Sequence, residues 1–302
     1  MICEKAKYKK SPEERASGDF VTYTQVDYTH RIGGRVKNRF VFVCVFVASV
    51  SIGAEQVPQF SHDVFDRVLK QFVNASGLVD YTGLQAHPED LKTYLALLAQ
   101  YSPDATPERF PSRADSLAYW INAYNAFAIS GVIEAYPVKS VRDIKWLYGF
   151  FNRTRYVAGG TQLTLKHIEN EIVRKVFQDP RIHAALNCAS MGCPRLPQRA
   201  FRPETLQEDL EDDMQTFLNE QRNVRIDRTE KRIYLSNILK VFGSDFTDWY
   251  TQNHPVVSAT VLDYLQLYLP QDDAQYLKQH PNLKIQYIDY DWRLNDQIFK
   301  RE

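Results

Sequence analysis

The stretch from about residue 112 to residue 136 constrains the fold more than any other part of the sequence. Apolar side chains, among them Leu117, Trp120, Ile121 and Ile129, recur around every turn of a helix drawn through it. A helix that is hydrophobic on all sides is stable only when other elements surround it, so it belongs at the centre of a core. Hydrophobic residues make up 44% of the chain, which is enough to build such a core.

The segments around this central helix predict an α+β fold. Amphipathic helices are predicted at about 89–98, 165–177 and 203–220. Short apolar runs on both sides of residues 158–160 and 228–231 are typical of hairpins. Because helices and strands do not alternate in a βαβ rhythm, we expect one helix-rich domain with short antiparallel hairpins and the apolar helix at about 112–136 in its centre.

The first 54 residues differ in composition from the rest. Residues 36–54 contain basic positions, about 11 apolar residues and a small-residue exit, the order of a signal peptide cleaved after Ala54. Residues 1–35 precede this complete signal and are expected to be a non-native extension or a long leading region without a fold. The pattern predicts a periplasmic or secreted protein whose single globular domain spans residues 55–302.

The alternative for the leader is an uncleaved segment that anchors the protein in the inner membrane. The apolar run is shorter than the ~20 residues of a spanning helix, which disfavours this reading. Contact with a membrane is therefore expected only through the leader, if it is not cleaved. Residues 1–54 hold nine of the Lys and Arg and five of the Asp and Glu, so the 28 basic and 32 acidic residues that follow give a charge near −4. This charge argues against a nucleic-acid partner, and no other partner is indicated.

Only two cysteines follow the leader, Cys188 and Cys193. In an oxidising compartment, two cysteines five residues apart most simply form a local disulfide. A free and ionised thiol at this turn would instead be the best nucleophile in the chain. A metal site has less support because only His183 lies nearby, and a structural zinc needs four ligands. No cofactor fingerprint is present, since Gly159 and Gly160 lack the Lys-Ser/Thr of a phosphate-binding loop.

Polar residues inside apolar segments are the other candidates for a site. Asn122 and Asn125 lie in the central helix, where a buried amide must find partners or costs about 1–3 kcal/mol. They either bond the main chain of a neighbouring loop or contact a substrate. Residues 181–188 are predicted to form a buried strand, which would place His183 and Cys188 on opposite faces. His183 is then either a core hydrogen-bonding group or a catalytic base.

Four sequence blocks together resemble a known family. They are residues 120–126 (WINAYNA), 163–169 (LTLKHIE), 181–194 (RIHAALNCASMGCP) and 290–295 (YDWRLN). In this order they resemble an exported bacterial member of the uncharacterised family catalogued as domain of unknown function 547, over about residues 60–296. Family members often have a histidine where this chain has Asn170. Plant relatives keep the position of Cys188 and replace that of Cys193, so the resemblance implies that Cys188 is the more important sulfur.

Two interpretations of function follow. The first is a binding or envelope-associated module in which a Cys188–Cys193 disulfide is structural. The second is a thiol-dependent hydrolase or acyltransferase, with Cys188 as nucleophile, His183 or His167 as base, and Asn122 or Asn125 as the orienting or oxyanion-stabilising amide. A metal-dependent hydrolase ranks third because the sequence has no HExxH motif or cluster of His and Asp ligands.

Overall fold

The computed structural model describes residues 57–145 and 147–299, and its first elements are three helices. Helix α1 spans Asp63–Phe72, α2 spans Tyr81–Ala86 and α3 spans Glu89–Gln100. Asp80 begins α2, because its side-chain Oδ1 accepts a hydrogen bond from the Gly83 N–H at 2.8 Å. A 3₁₀ turn at Pro107–Arg109 then leads into the central helix. The predicted leader at 36–54 and the extension at 1–35 lie outside the described residues.

The predicted apolar helix is confirmed as α4, Arg113–Ile133. It begins with a capping box, in which Ser112 and Asp115 each satisfy a main-chain N–H of the other. Every residue from 117 to 132 is buried. Helix α4 is therefore surrounded on all sides, as its composition requires, and its asparagines lie in the protein interior.

The chain after α4 forms small elements and one unusual helix. A 3₁₀ turn at Val141–Asp143 precedes α5, Gly149–Asn152. Strands β1, Tyr156–Ala158, and β2, Thr161–Leu163, pair antiparallel as predicted. The helix predicted next consists of a short α-helix, α6, Leu165–His167, and a π-helix, π1, Ile168–Phe177.

The strand predicted at 181–188 is wrong. Residues Ile182–Ala185 form a short helix, α7, and the chain becomes extended only at Leu186. A buried strand needs a neighbouring strand to satisfy its main chain, whereas here the side chain of Asn125 bonds the main chain on both sides of Leu186. The long helix predicted next is confirmed as α8, Leu206–Asn219.

The last part of the chain builds a three-stranded sheet against helices. Strands β3, Val224–Asp227, and β4, Arg232–Ser236, form the second predicted hairpin. Four helices follow: α9, Asn237–Val241; α10, Gly243–Asn253; α11, Val261–Leu265; and α12, Gln271–Gln279. Strand β5, Lys284–Ile288, returns to pair with β4 in parallel. This parallel pair adds a mixed sheet to the expected hairpins.

The core has two clusters of buried residues. The larger one surrounds α4 and includes Phe65 and Tyr94, and the second joins α8, the three-stranded sheet and helices α9–α12 through residues such as Phe217 and Phe246. The predicted class is confirmed, because residues 57–299 form a helix-rich α+β domain with short strands. In the part of the chain that the structure describes, no helix combines the length and hydropathy needed to cross a membrane.

Candidate functional site

Asparagine side chains hold the turn that carries the two cysteines. Asn125 of α4 donates from Nδ2 to the Ala185 carbonyl at 3.0 Å, and its Oδ1 accepts from the Asn187 N–H at 2.8 Å. Asn187 in turn accepts from the Ala189 N–H at 2.9 Å and donates to the Pro194 carbonyl at 2.8 Å. Because these groups are buried, each amide replaces the water that the main chain has lost.

The segment 290–296 lies along the other side of this turn. The N–H groups of Met191 and Gly192 donate to the carbonyls of Arg293 and Asp291, both at 2.8 Å. Asn295 is fully buried and donates from its side chain to Asn187 Oδ1 at 3.2 Å. The turn and this segment therefore form one unit, although about a hundred residues separate them in sequence.

The sulfur atoms of Cys188 and Cys193 form the predicted disulfide, with the two Cα atoms 6.2 Å apart. Hydroxyl groups surround it. Tyr290 places its hydroxyl 3.0 Å from the Cys188 sulfur and 3.2 Å from the Cys193 sulfur, and Ser190 Oγ lies 2.8 Å from the same hydroxyl. Cys193 is buried, whereas Cys188 is partly exposed. In this state neither sulfur is a thiolate, so neither is a nucleophile.

An open groove of about 500 Å³ lies next to the disulfide. Its lining is contributed by the 3₁₀ turn after α4 and by the segment that packs on the cysteine turn: Ser140, Arg142, Asp143, Tyr290, Asp291, Trp292 and Arg293. Tyr290 belongs to both features, because its ring lines the groove and its hydroxyl reaches the sulfurs. Gly192 permits this approach, since a Cβ there would lie 2.9 Å from the Tyr290 ring.

Aromatic rings and charged groups share the wall of the groove. Arg293 pairs with Asp291 in a bidentate ion pair. The guanidinium of Arg142 lies 5.7 Å from the ring centre of Tyr148 and 5.8 Å from that of Trp292. The loop that delivers Tyr148 is strained, because Lys145, Leu147 and Tyr148 all adopt left-handed backbone conformations. Such strain is concentrated where a structure serves a ligand or a catalytic group.

His183 belongs to a charged cluster rather than to the cysteine turn. Its Nε2 lies 2.8 Å from Asp245 Oδ2, and its ring stacks on Phe242 with the centres 4.2 Å apart. Arg174 binds the same carboxylate at 2.7 and 2.8 Å. Burial lowers the pKa of His183, so the neutral imidazole donates from Nε2 to Asp245. Burial acts to raise the pKa of Asp245, but hydrogen bonds from His183 and Arg174 lower it below its usual range.

Glu169 lies beside this charged cluster, and the π-helix explains its position. Residues five apart stack in a π-helix, so Glu169 comes within electrostatic reach of Arg174. Burial raises the pKa of Glu169 to about 7, and the Arg174 charge and the Tyr124 hydroxyl offset part of that rise. Burial also raises the pKa of Tyr124, whose neighbours include both Glu169 and Tyr290. A line of polar groups therefore runs from the disulfide through the interior to Asp245.

Comparison with protein families identifies one related group. Residues 108–218 match the family described as Protein of unknown function, DUF547. Over this segment the chain is similar to that uncharacterised family. No curated protein and no solved structure matches the chain. The segment matched to DUF547 contains the Asn125 anchor, the π-helix and both cysteines, whereas the groove wall at 290–293 lies beyond it.

The five candidate catalytic residues predicted from the sequence do not form one cluster. Cys188 lies in the disulfide at the cysteine turn. Asn125 contacts the cysteine turn. Asn122 instead bonds both main-chain groups of Phe201, at 2.8 and 3.0 Å. His167 is exposed at the end of α6, and His183 contacts Asp245. No cluster of three or more His, Cys, Asp or Glu side chains suited to a metal ion occurs within residues 57–145 and 147–299.

Sequence reasoning assigned no role to several groups that surround the site: Tyr290, Ser190, Glu169, Arg174 and Asp245. Three of them were nevertheless within the blocks that carry the family resemblance: Glu169 in residues 163–169, Ser190 in residues 181–194 and Tyr290 in residues 290–295. Asp245 lay outside every block. The sequence blocks therefore contained some of these residues, but only the three-dimensional structure showed which side chains are in contact.

Proposed function

We propose that this chain is an exported binding module of the cell envelope, and that its ligand occupies the groove beside the disulfide. One observation carries the proposal: the groove lies over a turn whose polar groups are already bonded to protein. The sulfurs are joined to each other, and both amide atoms of Asn125 bond the main chain. These residues support the groove wall, and the open volume of about 500 Å³ is in the usual range for a small-molecule site.

The location of the protein is part of this proposal. The leader at 36–54 has the order of a secretory signal, and a disulfide pair in the domain that follows suits an oxidising compartment. A periplasmic or secreted protein would meet extracellular or envelope ligands in the groove. An uncleaved leader would hold the same groove at the outer face of the inner membrane.

A second proposal is a thiol-dependent hydrolase or acyltransferase that uses Cys188 after reduction of the disulfide. The partial exposure of Cys188 next to the groove favours it. The partners of the Cys188 sulfur are the hydroxyls of Ser190 and Tyr290, at 3.2 and 3.0 Å. Both histidines considered as bases are engaged elsewhere or exposed, so the binding module accounts for more of the contacts.

The two proposals differ in the state of the sulfurs in the native protein. We expect the protein, exported by its host and treated with iodoacetamide, to gain no adduct by intact mass spectrometry before reduction and two adducts after reduction and unfolding. The hydrolysis of thioester and ester test substrates should be the same for wild type and Cys188→Ser. Labelling of Cys188 in the native protein, together with hydrolysis that Cys188→Ser abolishes, would establish the enzyme instead.

The groove itself is tested by ligand-observed NMR with a library of amino acids, short peptides and disaccharides. We expect members of this library to show saturation transfer from the wild-type protein and to lose it with Trp292→Ala. Trp249→Ala is a matched control, because this ring packs in the second core cluster away from the groove lining. Binding that survives Trp292→Ala unchanged places the ligand elsewhere and contradicts the proposal.

A further inference from the structure

The charges in the groove narrow the class of its ligand. Four charged side chains line it, and two of them, Asp291 and Arg293, neutralise each other in a bidentate pair. Arg142 and Asp143 lie on the 3₁₀ turn at Val141–Asp143, which the buried side chain of Val141 fixes in place. Among residues 57–145 and 147–299, neither of these two side chains has an ion pair or a side-chain hydrogen bond. The groove therefore presents one cation and one anion that the described residues leave without an ion pair.

Two surface arginines of this protein, Arg67 and Arg228, are paired with carboxylates. Arg67 binds Asp90 at 2.9 Å, and Arg228 binds Asp273 at 2.8 Å. Arg142 instead lies within cation–π distance of the rings of Tyr148 and Trp292, and the N–H donors of its guanidinium make no hydrogen bond to the described residues. Such a planar fork of donors suits a carboxylate or a phosphate.

The negative charge of Asp143 favours a ligand that carries a positive group beside its carboxylate over a ligand that is purely anionic. It lies next to Arg142 in sequence and lines the same groove, so a ligand with only negative charge meets repulsion as well as attraction. Phosphates and acidic saccharides are such ligands. An amino acid or a short peptide instead carries a carboxylate and an ammonium group together, and its side chain offers a surface for Trp292. The groove volume of about 500 Å³ accommodates a ligand of a few residues.

We infer that the groove binds a zwitterionic ligand of the amino acid and short-peptide class, with its carboxylate on Arg142, its ammonium group near Asp143 and its side chain against Trp292. This inference rests on the groove proposed above as the binding site. It adds the chemical class of the ligand and assigns the two unpaired charges as the residues that determine specificity.

The test uses one tetrapeptide in four forms: free, N-acetylated, C-amidated and blocked at both ends. Binding to the exported protein is followed by calorimetry and by the fluorescence of its tryptophans. We expect the free peptide to bind best and each single block to weaken binding at least tenfold. Free amino acids and dipeptides, titrated in parallel, show whether the ligand is a single residue or a peptide.

Two variants test which protein side chain binds each charged end of the peptide. With Arg142→Ala, the free and C-amidated peptides should bind equally, and with Asp143→Asn the free and N-acetylated peptides should bind equally. Both positions are exposed, so these variants should fold. Arg109→Ala is the matched control, because Arg109 stacks on Tyr101 at 4.3 Å outside the groove lining and should leave all four affinities unchanged.

The outcomes separate the ligand class from the groove. Equal affinity for all four peptide forms, or tighter binding of a uronic-acid disaccharide or of inorganic phosphate that Trp292→Ala removes, would overturn the zwitterion while leaving the groove proposal in place. Binding of the free peptide that Trp292→Ala does not weaken would overturn both. Loss of binding with Arg142→Ala and retention with Arg109→Ala supports the inference.

Discussion

The cysteine turn and the Asp245 cluster are both polar regions inside an apolar domain, and they are stabilised differently. Neutral amides hold the turn: Asn125 and Asn187 bond main-chain groups that have no strand or helix partner. Charges hold the other region, where Arg174 and His183 converge on the Asp245 carboxylate. The first arrangement satisfies the backbone, and the second satisfies only its own side chains.

This difference predicts which region loses more stability when one of its side chains is substituted. An amide that satisfies buried backbone has no substitute, because its loss leaves main-chain donors and acceptors without partners. A charged cluster can lose a member and rearrange, and part of it is solvated, since the side chains of Arg174 and Asp245 are about a quarter exposed. We therefore expect substitutions in the cysteine turn to lower the free energy of unfolding strongly and by the same amount at every pH. Substitutions in the Asp245 cluster should lower it less, by an amount that depends on pH.

The largest effect is expected for Asn125→Ala. The substitution leaves the Ala185 carbonyl and the Asn187 N–H buried without partners, which should lower the free energy of unfolding by about 3 kcal/mol at any pH between 5 and 8. Urea denaturation followed by circular dichroism measures it. Asn253→Ala, which removes an exposed amide from α10, is the control and should cost less than 1 kcal/mol. A loss no greater than that of the control would remove the distinction between the two regions.

An intermediate effect is expected for Asp245→Asn. Arg174 and His183 lose their common carboxylate, at a cost of about 2 kcal/mol at pH 7, because the site is only partly buried. The lowered pKa of Asp245 means that its contribution is present above about pH 4 and disappears as the pH falls toward the folded-state pKa. Urea denaturation at pH 7 and at about pH 2.5, well below the ordinary pKa of an aspartate, measures this change. Asp248→Asn on the same helix is the exposed control, and an equal loss at both pH values would contradict the assignment.

The smallest effect, and one of opposite sign, is expected for Glu169→Gln. The folded-state pKa of Glu169 is about 7, so the folded protein keeps a proton that the unfolded chain releases above about 4.5, and stability falls as the pH rises between these values. Glutamine removes that penalty and should stabilise the protein by about 1–2 kcal/mol at pH 8 and by much less at pH 5. Thermal unfolding at both pH values measures it.

The control for this prediction is Glu171→Gln, an exposed position two residues along π1 that pairs with Lys175. It should change stability by less than 0.5 kcal/mol at either pH. Destabilisation by Glu169→Gln at pH 8 would mean that the ionised carboxylate is a net stabiliser of Arg174. The charged region would then resemble the amide region more closely than we propose.

The sequence predicted those parts of the fold that local pattern determines. Helix α4 follows from its apolar composition, and the two hairpins follow from their turns. The short helix α7 could not be predicted, because the groups that satisfy residues 185–187 come from Asn125, about sixty positions earlier. The π-helix likewise depends on distant contacts, since Arg174 is bound by Asp245.

The candidate site divides in the same way. The disulfide pair was predictable because five residues separate its cysteines. The groove was not, because its walls come from residues 140–143 and 290–293, which are far apart in sequence and pair only in the folded chain, where Ser140 bridges to Arg293. Its unpaired charges have no sequence signature at all, since Arg and Asp side by side are common on surfaces. Only the tertiary structure shows that Arg142 lies near two aromatic rings.

The parallel pairing of β4 with β5 has a consequence for how the chain reaches its native state. The two strands of each hairpin are close in sequence, so hairpins can form within microseconds. Strand β5 must wait while the intervening helices α9–α12 bring residue 284 back to residue 232. The entropy of closing so long a loop is lost before any of its contacts form, which slows the step. We therefore expect the sheet to assemble from the β3–β4 side and the β5 edge to be the last to become protected from solvent.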